Sequence, residues 1–195
     1  MAKDTQIEGS VEALLVLYAN GDPDAARLLA QRLVPRVLGY ATRILGDRAE
    51  AEDIAQEVML RLWRAAPDWR TGEAQVSTWV YRVAANLCTD RLRAVKRKGA
   101  QALDAVAEPE DGAPSVVHNL IAVDRRAALQ AALARLPDRQ REAVVLRHIE
   151  GLTNPQIADV MQIGIEAVES LISRGKRALT AALAGRRQEL GYEEA

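Results

Sequence analysis

Residues Val76 to Lys98 read VSTWVYRVAANLCTDRLRAVKRK. At helical spacing Val80, Val83, Ala84, Leu87 and Val95 fall on one side, an apolar stripe that needs a core to pack against. Trp79, Arg82, Asn86, Asp90, Arg93 and Arg97 step along the opposite side, which ends among Arg91, Lys96 and Lys98. A surface helix ordinarily interleaves its charges. This one passes from an indole through an amide to a cation cluster, a layout suited to stacking bases and neutralising phosphates. Taken alone the stretch also fits a solvated amphipathic surface, so the flanking sequence has to decide.

Immediately upstream, Ala49–Ala65 reads AEAEDIAQEVMLRLWRA and forms one helix with Ala51, Ile54, Val58, Leu62 and Trp63 inward. Asp53, Gln56, Glu57 and Arg61 lie on its other side, a face that is either plainly solvated or a docking surface. Between the two helices, Ala66 to Glu73 is a loop by its Pro and Gly content. Trp69 in that loop is either tucked beneath it or presented to a ligand. Further upstream, Ser10 caps a short helix over Val11–Ala19, and Asp22-Pro23 starts a second one. Its apolar set Ala26, Leu29, Leu33, Val37, Tyr40, Ile44 keeps phase across Pro35, where a kink or break is expected. Gly46-Asp47 closes it, and Met1 to Gly9 read as frayed.

Downstream, Gly99–Asn119 (GAQALDAVAEPEDGAPSVVHN) lacks an apolar period and carries two prolines and four carboxylates. It reads as a flexible linker, about 70 Å long if fully extended. From Leu120 a second helical unit begins, with Ala122, Ala127 or Ala128, Leu129, Ala132, Leu133 and Leu136 inward. Pro137 opens the next helix, with Ala143, Val144, Leu146 and Ile149 inward, and Gly151 ends it. Thr153 caps NPQIADVM, Gln162-Ile163-Gly164 is a short turn, and IEAVESLISRGKRALTAALAGRR follows. Two helices across such a turn form a helix-turn-helix pattern, whose second helix enters the major groove.

Composition agrees with an all-α chain of two small helical domains, 1–98 and 121–195, joined by residues 99–120. Ala, Leu, Val and Arg dominate the 195 residues, and there is no Phe. The net charge of −1 excludes nothing, but acidic and basic stretches alternate along the chain, as separate partners would require. Cys88 is the lone cysteine and reads as a core thiol, so no intrachain disulfide forms. His118 and His148 lack cysteine partners, which argues against a structural zinc site. No signal peptide, membrane span or lipidation motif is present, so a cytoplasmic location is expected.

The ordered run AEAEDIAQEVMLRLWRA, aromatic loop, then STWVYRVAANLCTDRLR resembles the second domain of extracytoplasmic-function sigma factors, the small specificity subunits of bacterial RNA polymerase. The segment LPDRQREAVVLRHIEGLTNPQIADVMQIGIEAVESLISRGKRAL resembles the fourth domain of the same family. The resemblance spans about Asp22 to Leu183. It implies that Asp53, Gln56, Glu57 and Arg61 dock on a coiled coil of the polymerase's largest subunit, with a further contact to the flap. Trp69, Ser77, Trp79 and Asn86 would read the promoter −10 element as single strand, with Arg82, Arg93 and Arg97 on its backbone. Arg147, Glu169, Ser170, Ser173, Arg174 and Arg177 would serve the −35 element, with Lys176 near the backbone. Glu169 and Leu171 stand where most relatives are basic, and Glu repels phosphate while accepting from cytosine. The −35 preference therefore differs from theirs or its affinity is lower. The linker's negative charge is either an RNA place-holder or a solubilising spacer.

The resemblance further implies core polymerase, promoter DNA and an anti-sigma protein as partners. No phosphate-binding Gly loop and no catalytic constellation is present, so no enzyme, cofactor, metal or small-molecule substrate is expected. The rival is a free-standing helix-turn-helix regulator that binds duplex DNA without polymerase. It accounts for Leu136 to Arg187 and leaves the Trp79 helix unexplained.

Overall fold

The computed structural model describes residues 9–70, 72, 75–101 and 117–184, and all regular structure among them is helical. In chain order the helices are α1 (Val11–Ala19), α2 (Pro23–Leu45), α3 (Arg48–Ala65), α4 (Val76–Gln101), α5 (Val117–Ala134), α6 (Asp138–His148), α7 (Asn154–Met161) and α8 (Ile165–Ala184), with one 3-10 turn at Ala66–Asp68. Helices α1 to α4 form one unit and α5 to α8 a second.

Helix boundaries follow from local chemistry. The Ser10 hydroxyl accepts from the Ala13 amide at 3.0 Å. Asp22 accepts from the Asp24 and Ala25 amides at 2.8 and 3.3 Å, with Pro23 at the first helical position, where its missing N–H costs nothing. Gly46 ends α2 in the left-handed region (φ 75°), and Asp47 then caps α3 through the Glu50 amide at 3.0 Å. Pro35 does not break α2, which runs unbroken from Pro23 to Leu45. Leu33 and Val37 are fully buried on either side of it, and their packing outweighs one lost backbone hydrogen bond.

α2 is the spine. It packs most extensively on α3 and also meets α1, α4, α5 and α6. Leu29, Leu33, Val37, Tyr40 and Ile44 supply its buried stripe, and Ile54, Val58, Leu62, Val80 and Ala84 close the first unit's core around it. In the second unit α8 lies across α5, α6 and α7. The cores of the two units are continuous, a single cluster that includes Ile44 and Leu133. Val95, assigned to the inward stripe by periodicity, is 60 % exposed, because the core ends near Cys88 while α4 continues beyond it.

Helical structure encroaches on both ends of the segment read as a linker: α4 continues to Gln101 and α5 starts at Val117. Gly99 alone does not stop α4, since one glycine costs only about 1 kcal/mol in a helix. The remainder of that segment, 102–116, lies outside the described residues, as do the frayed start and 185–187 of the last helix.

α6 and α8 approach closely at Gly175, which is buried. A Cβ there would sit 2.6 Å from Val144 Cγ2 and 3.1 Å from the Gln140 carbonyl oxygen. Val144 is β-branched and buried, so it has little freedom to yield. Gly175→Ala is expected to lose a net 1–2 kcal/mol, roughly, overpacking outweighing the gain in helix propensity. Thermal unfolding by circular dichroism checks this, and an unchanged or raised midpoint would show that the helices have room to separate.

Candidate nucleic-acid and polymerase surfaces

The acidic side of α3 is open. Asp53, Gln56 and Arg61 are exposed and Glu57 partly so, while Ile54, Val58 and Leu62 point the other way. Arg61 Nε donates to Glu57 Oε1 at 2.7 Å, an i,i+4 pair that leaves Asp53 and Gln56 to face outward. Leu60 is exposed on the same helix, so the surface is acidic with an apolar element.

Trp69 is neither buried under its loop nor splayed outward. Its ring meets that of Trp79 edge to face, centroids 5.7 Å apart, and both are partly buried. The loop and the start of α4 are thereby joined into one aromatic platform next to partly buried Ser77. The third tryptophan, Trp63, stacks instead on Tyr18 at 4.6 Å, in a packing role. Beyond the platform α4 presents Arg82, Asn86, Arg93 and Arg97 on one side. Asn86, Arg93 and Arg97 are exposed and Arg82 is partly buried. Arg91 is tied back to Glu50 at 2.7 Å.

In the second unit Thr153 and Gln156 form a capping box at the start of α7, in which Gln156 Oε1 accepts from the Thr153 amide at 2.8 Å and from its hydroxyl at 2.9 Å. Gln162 takes the left-handed conformation (φ 52°) at the turn, a position usually given to glycine, and its side chain donates to the Asp159 carbonyl at 2.6 Å. On α8, Glu169, Ser170, Ser173, Arg174, Lys176 and Arg177 are all exposed. Glu169 accepts from Asn154 Nδ2 at 3.3 Å, which fixes its carboxylate beside the N-terminus of α7. Arg147 is exposed but donates to the Leu152 carbonyl at 3.0 Å, so it also braces the turn between α6 and α7. Lys176 and Arg147 together with burial lower the pKa of His148, burial being the larger cause. An apolar groove of about 290 Å³, lined by Leu129, Leu133, Ile149, Leu179 and Leu183 among others, opens between α5, α6 and α8.

Where the units meet, Arg141, Glu142, Glu150 and Asp159, to which the sequence drew no attention, become prominent. Arg141, 9 % exposed, donates to the carbonyls of Leu133, Ala134 and Leu136 at 2.9–3.2 Å and to that of Ile44, across the seam, at 2.6 Å. The Tyr81 hydroxyl donates to Glu150, whose other oxygen lies 3.7 Å from Arg43 Nη1. Arg82 Nη1 donates to Asp159 Oδ1 at 3.2 Å, and Lys96 donates to Asp138. Glu142, 7 % exposed, lines the cleft between them with Tyr40, Thr89, Arg93, Lys96 and Arg139. The only sequence signal for these residues was charge on the inward side of α6, where Arg141 lies one turn before Val145.

Among the described residues no group of three His, Cys, Asp or Glu could hold a metal ion. No helix among them is long and apolar enough to cross a membrane.

Two helical units, one with a tryptophan platform above a cationic helix and one with a helix-turn-helix, define a DNA-directed protein. Comparison with known families agrees: residues 29–98 match sigma-70 region 2 and residues 126–179 match sigma-70 region 4. The RNA polymerase sigma-H factor of Pseudomonas aeruginosa is 31% identical over 187 residues, covering 88% of this chain and 93% of that one. The ECF RNA polymerase sigma factor SigW of Bacillus subtilis is 31% identical over 169 residues, covering 82% and 89%. Among solved structures, RpoE of Bartonella quintana in complex with the anti-sigma factor NepR superposes with a TM-score of 0.67 at 19% identity, over 81% of this chain and 96% of that one. CnrH in complex with the cytosolic domain of CnrY gives 0.62 at 24%, over 89% and 97%. These two establish likeness of fold. The chain belongs to the sigma-70 family of RNA polymerase sigma factors, in its extracytoplasmic-function branch.

Burial pushes the Glu142 carboxyl up to about 7, with Arg139 opposing and Asp138 adding to the shift. The folded state therefore binds a proton that the unfolded chain has already released above about pH 4.5. This group's stabilisation is complete below about pH 4.5 and is lost as the pH rises to and past about 7. Glu142 favours a higher urea midpoint at about pH 5 than at about pH 8 while the lowered His148 pKa works against it, and Glu142→Gln should lower the midpoint at about pH 5 relative to that at about pH 8. An identical pH dependence in the variant would remove Glu142 as its source.

Proposed function

We propose that this sigma factor carries core polymerase to −35 and −10 promoter elements and, once there, supports strand opening. One observation supports the assignment of surfaces: the exposed acidic side of α3 and the tryptophan platform at the start of α4 are separate surfaces of one helical unit. Asp53, Gln56, Glu57 and Arg61 serve the coiled coil of the largest polymerase subunit, and the second unit makes a further contact with the flap. Trp69, Ser77, Trp79 and Asn86 hold the exposed −10 strand, while Arg82, Arg93 and Arg97 meet its phosphates. Arg147, Glu169, Ser170, Ser173, Arg174 and Arg177 serve the −35 duplex.

The energetics require polymerase. Unpairing and unstacking cost about 1.4 kcal/mol per step. An aromatic returns about 1–3 kcal/mol for each base stacked on it. With Trp63 committed to packing on Tyr18, two tryptophans remain for DNA, too few to hold a bubble open unaided. The role is thus one of binding rather than catalysis, exercised in the cytoplasm, where polymerase works. We further assign control to an anti-sigma protein and output to a stress regulon. A free-standing helix-turn-helix regulator would have no use for the region 2 unit, so that reading is not preferred.

Two outcomes are expected. Trp79→Ala should abolish promoter opening with core enzyme while polymerase binding persists, and undiminished permanganate reactivity in the bubble would refute the platform's role. Reversing charge at Asp53 and Glu57 should weaken core binding about tenfold or more, in line with two interfacial charge contacts. Unchanged co-purification with polymerase would move the docking surface elsewhere.

A further inference from the structure

We propose that Asn154 is a positioning residue for −35 readout: it holds the Glu169 carboxylate on the open side of α8, where that carboxylate selects cytosine at one base pair of the element. This deepens, and rests on, the proposed assignment of α8 to the −35 duplex.

The geometry starts from how α8 is seated. Val168 and Gly175 are buried in the second unit, and Leu171 and Ile172 are partly buried beside them. Glu169, Ser170, Ser173 and Arg174 are left exposed, with Glu169 one turn from the start of the helix. In a helix-turn-helix the N-terminal residues of the second helix are the ones that meet base edges. A loose glutamate at such a place loses side-chain entropy when a base fixes it. Glu169 is already held. Asn154, the first residue of α7, donates from Nδ2 to Glu169 Oε1 at 3.3 Å. The amide oxygen, Asn154 Oδ1, is buried and accepts from no donor among the described residues. Turning the amide over would set an oxygen against the carboxylate, so its nitrogen stays toward Glu169. Arg174 Nε donates to the Ser170 carbonyl at 3.3 Å, which directs that guanidinium along its own helix. Glu169 Oε1 is thereby engaged, and Oε2 remains to accept from DNA.

The chemistry of the groove then picks the base. A carboxylate can only accept, and the base edges of the major groove offer two donors, cytosine N4 and adenine N6. Adenine sets its N7 acceptor beside N6, which repels a carboxylate, whereas the same side of cytosine shows only a C–H next to N4. A carboxylate fixed from α7 cannot swing away to satisfy a different base. Glu169 thus discriminates among bases, and phosphate contact falls to the exposed cations around it, Arg147, Lys176 and Arg177.

The test uses the full-length chain with core polymerase and a promoter library randomised in both elements, sequencing the templates retained in heparin-resistant complexes. Wild type should enrich cytosine at one −35 position about tenfold over the other bases. Glu169→Gln should move that one position to adenine, which glutamine meets with one donor and one acceptor, and keep the bases chosen elsewhere. Asn154→Ala should cut the cytosine preference there to about threefold, the effect of letting one side chain go free. Its enrichment at other positions and its salt dependence should match wild type, since no phosphate contact is lost. A role confined to the start of α7 would instead weaken every −35 position together. The proposal is overturned if Glu169→Gln alters no position, or alters one where wild type prefers a base other than cytosine. It is equally overturned if Asn154→Ala keeps the full preference or loses all positions alike. Those results leave the assignment of α8 standing. Enrichment by wild type at −10 alone would refute that assignment and the proposal with it.

Discussion

One guanidinium bridges the two units at their buried seam. Helices leave their last carbonyls without intrahelical donors, and a cation is favoured at that end. Arg141 meets this need twice, for the end of α5 through Leu133, Ala134 and Leu136, and for the end of α2 through Ile44. Its planar fork offers five donors in fixed directions, so satisfying carbonyls from both units fixes their relative orientation as well as their distance. A lysine could not span the same set. Removing the side chain would strand buried carbonyls, and removing the carbonyls' geometry would strand a buried charge.

Around that anchor the seam is built differently from the interiors it joins. Within each unit the contacts are aliphatic, as between Leu29, Val58 and Leu62 or between Leu146, Ile157 and Val168. At the seam charged and hydroxylic contacts are added to the apolar ones that make the two cores continuous, and not all of them are satisfied. The Tyr40 hydroxyl is buried without a partner, which costs about 1–3 kcal/mol. Burial holds that hydroxyl well above its ordinary pKa, so it stays protonated. Glu142 is held near neutrality by the same desolvation. A permanent interface would have replaced these groups with apolar ones at little cost. Keeping them lowers the free energy gained where the two units pack.

Much of this was legible in the chain. Caps at Ser10, Asp22 and Thr153, the Gly46 stop, and the inward stripes of α2 and α3 all lie in local chemistry, which a sequence displays directly. So did the aromatic and cationic side of α4, because a helix presents residues three or four apart on one face whatever surrounds it. The failures share one cause, which is tertiary context. Periodicity cannot know that the core beneath α4 ends near Cys88, so it placed Val95 inward. Nor can it weigh the burial of Leu33 and Val37 against the lost hydrogen bond at Pro35. The seam residues were the least visible, since Arg141, Glu142, Glu150 and Asp159 look like ordinary helix charges until the partner unit is in place.

That concealment also explains why the overall charge says so little about a DNA-directed protein. The net charge is −1 although α4 ends in a cation cluster. Part of the balance is struck within the molecule, where Asp138, Glu150 and Asp159 stand against Lys96, Arg43 and Arg82. The Arg82–Asp159 and Lys96–Asp138 pairs are partly exposed and contribute at most about 1 kcal/mol each, whereas Glu150 is nearly buried beside Arg43. The acid residues of the second unit thus neutralise cations of the first through pairs of unequal burial, beside the apolar contacts that join the two cores.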